Sequence, residues 1–205
     1  MLFSATYDDQ EVDRLINELI EKPVFLRVKK EDLSLENIKQ FKIHVMSEDE
    51  KYYWLVTIYQ SFSVGQAIIF CSTKTSAANL RDKMIHDGHH VGLLTGSFSI
   101  NERENVIQSF CQGQDRVLIS TNLCSRGMDI PQVNLVVNWN MPRRQTGEPD
   151  FETYIHRVGR SGRFGKRGIA LNLVTDEDQS VIEAIEAYYQ IAIIQLSEEE
   201  IEKLQ

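Results

Sequence analysis

Apolar residues in this chain follow two alternating patterns. Short apolar runs such as Ala67-Ile68-Ile69-Phe70-Cys71 are separated by longer stretches in which apolar positions recur every three or four residues. The second pattern predicts amphipathic helices and the first predicts buried strands. A helix is expected over 9–21, with Val12, Leu15, Ile16, Leu19 and Ile20 on one face and a stop before Pro23. Strands follow at 25–28 and 41–46, then a helix over 49–62, a strand at 67–71, a helix ending near Gly88 and a strand at 91–94. Ser99-Ile100-Asn101-Glu102 has the form of a capping box and opens a helix whose buried stripe is Val106, Ile107 and Phe110. Strands at 116–120 and 133–137 lead through a polar connection, 143–150, to a short helix at 151–158 and a strand at 169–174. From Asp176 the chain reads as a helix, a short apolar strand and an acidic end.

Strands that are apolar throughout, without period-two alternation, are covered on both faces. Alternating with helices, they predict an α/β fold built on a parallel sheet with helices on both sides. Ligands of such sheets gather at the carboxyl ends of the strands. That rule assigns three segments to one rim: 72–75, 121–130, and the arginine-rich segment near the helix after Trp139.

With 205 residues, 42% hydrophobic and 25% charged, the chain can bury a core within one domain. The run at 67–71 is far too short to span a bilayer, and Met1 is not followed by a basic stretch and an apolar region of the secretory kind. Three cysteines, Cys71, Cys111 and Cys124, have no C-x-x-C spacing and predict free thiols in a reducing compartment, cytoplasmic or nuclear. The net charge of −8 argues against nucleic acid until it is mapped. Between Arg143 and Arg167 lie seven basic residues and three acids, so the segment carries +4 and the rest −12. A local basic patch on an acidic body is an electrostatic footprint that the total conceals.

Within that patch, His156-Arg157-Val158-Gly159-Arg160-Ser161-Gly162-Arg163-Phe164-Gly165 spaces three arginines by three. Residues three apart are neighbours on a helical turn, and guanidiniums held together invite phosphate oxygens, which suit their planar fork. The interleaved Gly159 and Gly162 allow another backbone or a ligand to approach. Thr121-Asn122-Leu123-Cys124-Ser125-Arg126-Gly127-Met128-Asp129 leaves a strand with small polar residues suited to phosphate, and Asp129 is placed to take a ribose hydroxyl or to form a turn before Ile130-Pro131.

Other clusters read as structure. His86, His89 and His90 straddle the helix end at Gly88 without further ligands nearby in sequence, so no metal site is expected. Asp176, Glu177 and Asp178 suit the first turn of a helix. No G-x-x-x-x-G-K-S/T occurs, so the floor of any triphosphate site must lie on another segment. The arginines then complete a site from across a cleft, as an arginine finger does.

Ser4-Ala5-Thr6, the run at 67–73, Arg126-Gly127-Met128-Asp129 and the segment 156–165 occur in the order and spacing of the DEAD-box RNA helicases. The chain resembles the C-terminal RecA-like domain of such an enzyme, preceded by the tail of its first domain. Residues 1–40 correspond to that tail and the interdomain linker, and residues 41–205 to the helicase C-terminal domain. The stretches 134–142, 146–154 and 164–168 are most similar to the mRNA-export branch at the nuclear pore.

The resemblance implies an ATP-dependent RNA helicase in the full-length protein and an inactive fragment here. Arg160 and Arg163 would contact the γ-phosphate of ATP, and Gly127 and Asp129 would take part in holding the nucleotide. Magnesium would be held mainly by the N-terminal RecA-like domain. Ser72, Thr73, Gly96, Thr121 and Arg126 would touch the backbone of single-stranded RNA. His156 and Arg157 would couple the two sites, with Ser4 and Thr6 linking hydrolysis to strand separation. Partners would include that N-terminal domain and nuclear-pore or activator proteins, with no membrane, in cytoplasm and nucleus.

Ile100 stands where family members prefer Gln, three residues before Arg103, which removes an expected RNA contact. Residues 176–190 contain no Lys or Arg, so the basic surface that serves an inositol-phosphate-bridged activator in the export branch is missing. Other readings stay open on the residues alone. They are a protein-docking module with structural arginines and the acidic tail Glu198-Glu199-Glu200 as its surface, a helicase of another RNA process such as translation initiation, or a motor acting on DNA.

Overall fold

A computed structural model describes residues 10–24, 35, 37–61, 65–121, 133–162 and 167–197. It divides into two compact units, residues 1–34 and 35–205. In the first, helix α1 spans Gln10–Leu19, as its apolar spacing predicts. The strand expected at 25–28 lies outside the described residues.

The second unit runs β1 (Ile38–His44), α2 (Glu48–Ser61), β2 (Ala67–Cys71), α3 (Lys74–His86), β3 (Val91–Leu94), α4 (Ile100–Cys111), β4 (Val117–Thr121), β5 (Leu135–Asn138), α5 (Phe151–Val158), β6 (Gly168–Val174), α6 (Gln179–Tyr189) and β7 (Ile194–Gln195). Among the described residues, these seven strands form one parallel sheet in the order β3-β4-β2-β5-β6-β1-β7. From β2 the chain passes to β3 at the edge, returns to β4 between the two, then crosses to β5 on the other side of β2. That reversal brings the carboxyl ends of β4, β2 and β5 side by side, where open α/β sheets place their ligands.

Period-two geometry distributes the apolar strand residues between both faces. Ile69, Cys71, Ile119, Val137 and Leu171 pack with Leu55 and Ile58 of α2 and Leu80 and Met84 of α3. Ile68, Phe70, Leu118 and Val136 meet Phe110 of α4 on the other face, and α5 and α6 cover Ala170 and Val174.

The helix starts follow the sequence signals. Ser99 accepts from the Glu102 N–H while the Glu102 carboxylate takes the Ser99 N–H at 2.7 Å, closing the capping box. Ser99→Ala should therefore cost about 1 kcal/mol of unfolding free energy. Equilibrium urea unfolding reads that value, and an unchanged midpoint would contradict it. Asp176, Glu177 and Asp178 form a 3-10 turn leading into α6, where the Asp178 carboxylate takes the Thr175 hydroxyl at 2.9 Å.

Candidate functional site

The arginine segment departs from the expected arrangement in two ways. First, Arg157 and Arg160 do not share a helical face: α5 ends at Val158, as expected, so Arg157 belongs to its last turn while Arg160 lies in the turn beyond. Arg157 is fully buried and Arg160 only half-buried. They do not form one cationic face. Arg163 lies outside the described residues, as do Arg126, Gly127, Asp129, Ser4 and Thr6.

Second, the turn is not on the rim of strand carboxyl ends. Helix α5 runs back against the strand direction and returns the chain to their amino ends. There the Arg160 carbonyl accepts from the Val133 N–H at 3.1 Å, just ahead of β5, and Ser161 bridges Val133. Gly162, at φ +70°, sits where a Cβ would run into Ile38 at the start of β1 and lie 3.2 Å from the Asn37 carbonyl. The close approach that this glycine permits is thus to the protein's own backbone.

The Arg157 side chain reaches the other way, toward the carboxyl ends. Its Nη1 donates to Asn138 Oδ1 at 2.7 Å and to the Asn140 carbonyl at 2.9 Å, and its guanidinium stacks over Phe70 at 5.1 Å. Burial lowers its pKa to about 10, so the charge persists at neutral pH. Asn138 Nδ2 donates to Asn172 Oδ1 at 2.8 Å across the β5–β6 pair. Asn172 Nδ2 donates to the Phe41 carbonyl, and the buried Tyr154 hydroxyl donates to Gln40 at 2.6 Å. A polar network therefore crosses β1, β6 and β5 beneath α5.

Sequence reading assigned only Arg157 of that network. The signal for the others was present: Asn138 and Asn172 interrupt apolar strands, and a buried amide requires partners.

On the rim proper, Ser72 and Thr73 are exposed after β2, and Thr121 closes β4 opposite Cys71. Ser72 donates its backbone N–H to Asn140 Oδ1 at 3.0 Å. Thr73 Oγ1 caps α3 by accepting from the Ser76 N–H at 3.1 Å, and its hydroxyl proton remains to donate. The buried Thr121 hydroxyl has no hydrogen-bond partner among the described residues. Arg103 clamps the loop after β3, donating to the carbonyls of Gly96 at 3.0 Å and Phe98 at 2.9 Å. Ile100, the first residue of α4, is exposed.

Beside Thr73 a cleft of about 480 Å³ is lined by Glu48, Asp49, Tyr52 and Trp139. Glu48 accepts from Trp139 Nε1 at 2.8 Å and pairs with Lys51 at 2.7 Å. Asp49 pairs with Lys83, which also lines the cleft, at 2.9 Å, so each of the cleft's carboxylates is matched by a lysine.

The basic patch is partly spent on structure. Arg143 pairs with Asp178 at 3.0 Å and donates to the Gly147 carbonyl, and Arg157 is inside. Exposed Arg144 and Arg167 remain at the surface. Among the described residues no group of three or more His, Cys, Asp or Glu could hold a metal ion, and no helix is long and apolar enough to cross a membrane. The ring of His89 packs edge-on against Tyr59. Burial pushes the Cys71 thiol up to about 12, leaving it unreactive at neutral pH.

Residues 50–165 match the family model of the helicase conserved C-terminal domain. A solved structure of the C-terminal domain of the DEAD-box protein Dbp5 superimposes with a TM-score of 0.78 at 37% identity, covering 83% of this chain and 98% of that one. The chain belongs to the DEAD-box helicases, as their C-terminal domain.

This DEAD-box domain is also 42% identical to the human ATP-dependent RNA helicase DDX25 over its whole length, but spans only 42% of that relative. S. cerevisiae Dbp5 bound to RNA and ADP BeF3 superimposes on it with a TM-score of 0.85 at 33% identity, over 98% of this chain and 54% of that one. A Dbp5 variant bound to Nup159, a Gle1 variant, IP6 and ADP matches at 0.82 and 33%, over 98% and 52%. The seven-stranded parallel sheet is the RecA-like sheet of these domains.

Proposed function

We propose that this DEAD-box domain is the C-terminal half of an ATP-dependent RNA helicase of the mRNA-export branch. In this reading, Arg160 and Arg163 complete an ATP site whose phosphate-cradling loop and magnesium ligands lie on the N-terminal half. Asp129 and Gly127 hold the nucleotide from this side. Ser72, Thr73, Gly96, Thr121 and Arg126 contact the backbone of single-stranded RNA. His156 and Arg157, with Ser4 and Thr6, couple the two.

The observation that carries this reading is the separation of sites along the strands. Ser72 and Thr121 lie at adjacent strand carboxyl ends, the arginine turn docks at the amino ends, and Arg157, whose carbonyl accepts from the Arg160 N–H, reaches with its side chain to the carboxyl end of β5. Two ligands acted on at opposite ends of one rigid sheet is the geometry a coupled motor needs. Similarity to Dbp5 bound to RNA and ADP BeF3 supports both ligands, and similarity to Dbp5 with Nup159 and Gle1 supports partners at the nuclear pore. Backbone hydroxyl contacts make RNA binding independent of base sequence and sensitive to salt. Helix α6, with no Lys or Arg, argues against an inositol phosphate held on its surface.

The test is steady-state ATP hydrolysis. The isolated chain should hydrolyse ATP no faster than a buffer blank, while the full-length protein should show turnover stimulated by single-stranded RNA. Brisk hydrolysis by the chain alone would refute the placement of the phosphate-cradling loop elsewhere.

A further inference from the structure

Asn140 has a role that neither its type nor its position in a loop announces. It is the second residue after β5, half-buried, with Trp139 before it anchored by its N–H to the Phe70 carbonyl at 3.0 Å. Its two oxygens face in different directions. The backbone carbonyl accepts from Arg157 Nη1 at 2.9 Å, and the side-chain Oδ1 accepts from the Ser72 N–H at 3.0 Å. One residue thus ties the last turn of α5 to the first residue after β2. Arg157 holds Asn138 as well, at 2.7 Å, and stacks on Phe70, whose carbonyl anchors Trp139. Phe70 lies on β2 two residues ahead of Ser72.

The Ser72 N–H is therefore satisfied internally, and its exposed hydroxyl is left to meet a ligand. The orientation of that hydroxyl depends on the peptide plane that Asn140 fixes. We infer that Asn140 is the positioning residue through which Arg157 sets the Ser72–Thr73 backbone. Any shift of α5 with its arginine turn is thereby transmitted to the rim. This rests on the reading of the rim as the RNA contact and the turn as the ATP contact. Asn140 itself touches neither ligand.

The experiment uses the full-length protein, ATP, and poly(U) as the RNA probe. Asn140→Ala removes the acceptor for Ser72 but leaves the backbone carbonyl for Arg157. It should lower RNA-stimulated turnover by about tenfold, the scale of one lost hydrogen bond at a critical position, with RNA-independent hydrolysis unchanged within about twofold. Asn140→Asp keeps an oxygen in the same place and should restore most of the stimulation, which a merely space-filling role would not predict. Asn140→Ser, too short to reach, serves as a second loss-of-acceptor variant if the alanine protein melts below the assay temperature.

Hydrogen exchange adds a readout independent of turnover: the Ser72 amide should exchange faster in Asn140→Ala than in the parent, with β2 unaffected. Stimulation at the parental level in both loss-of-acceptor variants would overturn the inference, as would an aspartate variant as impaired as the alanine. A parent protein that RNA does not stimulate at all would instead sink the helicase reading, and this role with it.

Discussion

Alanine in place of Arg163 should slow RNA-stimulated ATP turnover of the full-length protein by about a thousandfold, the scale of an arginine finger. RNA affinity at saturating nucleotide should change far less. The asymmetry follows from the chemistry proposed: a guanidinium that meets charge developing on the transferred phosphoryl group acts in the transition state and little in the ground state. Arg160→Ala should fall in the same direction, since Arg160 stands in the turn held to the start of β5. Lysine at Arg163 should recover little, because a point charge does not reproduce the bidentate fork. An unchanged turnover number in Arg163→Ala would remove that residue from the site.

Arg157→Ala should produce the largest loss of stability of any single change near the site, about 3 kcal/mol or more. Arg157 is among the largest fully buried side chains of the domain. Its removal empties a volume next to Phe70 and strips a donor from Asn138 and from the Asn140 carbonyl. Buried acceptors that lose their partner bear the full desolvation penalty. Lysine should not rescue it, since a single ammonium cannot both bond two acceptors in this geometry and stack on the ring. Urea unfolding of the isolated chain decides this, and a loss below about 1 kcal/mol would show that the network contributes little.

Arg157 and Arg163, six apart in one motif, are thus expected to fail differently, one in folding and one in rate. Sequence spacing alone treated them as equivalents. The reason is local: Gly159 closes α5 by donating to the Ile155 carbonyl at 2.8 Å, so the three-residue repeat runs off the helix after Arg157. Helix ends are set by capping and tertiary contact, and periodicity of charged residues carries no information about them.

Much else was legible because the physics was local. Unbroken apolar runs at 67–71 and 91–94 became the strands expected, and the Ser99 capping box starts α4 as written. Helix α5 has the predicted bounds, with the Asp150 carboxylate taking the Thr153 N–H at 2.9 Å. The rim at the ends of β2 and β4 followed from parallel topology. What could not be read was the direction in which α5 returns the arginine turn, because that depends on pairing between Val133 and Ser161, 28 positions apart. The asparagine network was equally hidden, since each amide is explained only by partners on other elements. Arg143, counted in a basic patch, is spent on Asp178 for the same reason.

The most direct test of the central claim, that this domain completes a nucleotide site from across a cleft, is a crystal structure of the full-length protein with ADP, beryllium fluoride and a short single-stranded RNA. The guanidiniums of Arg160 and Arg163 should lie about 2.7–2.9 Å from the fluoride or the terminal phosphate oxygens. Both side chains turned away from the bound nucleotide in such a closed form would contradict it.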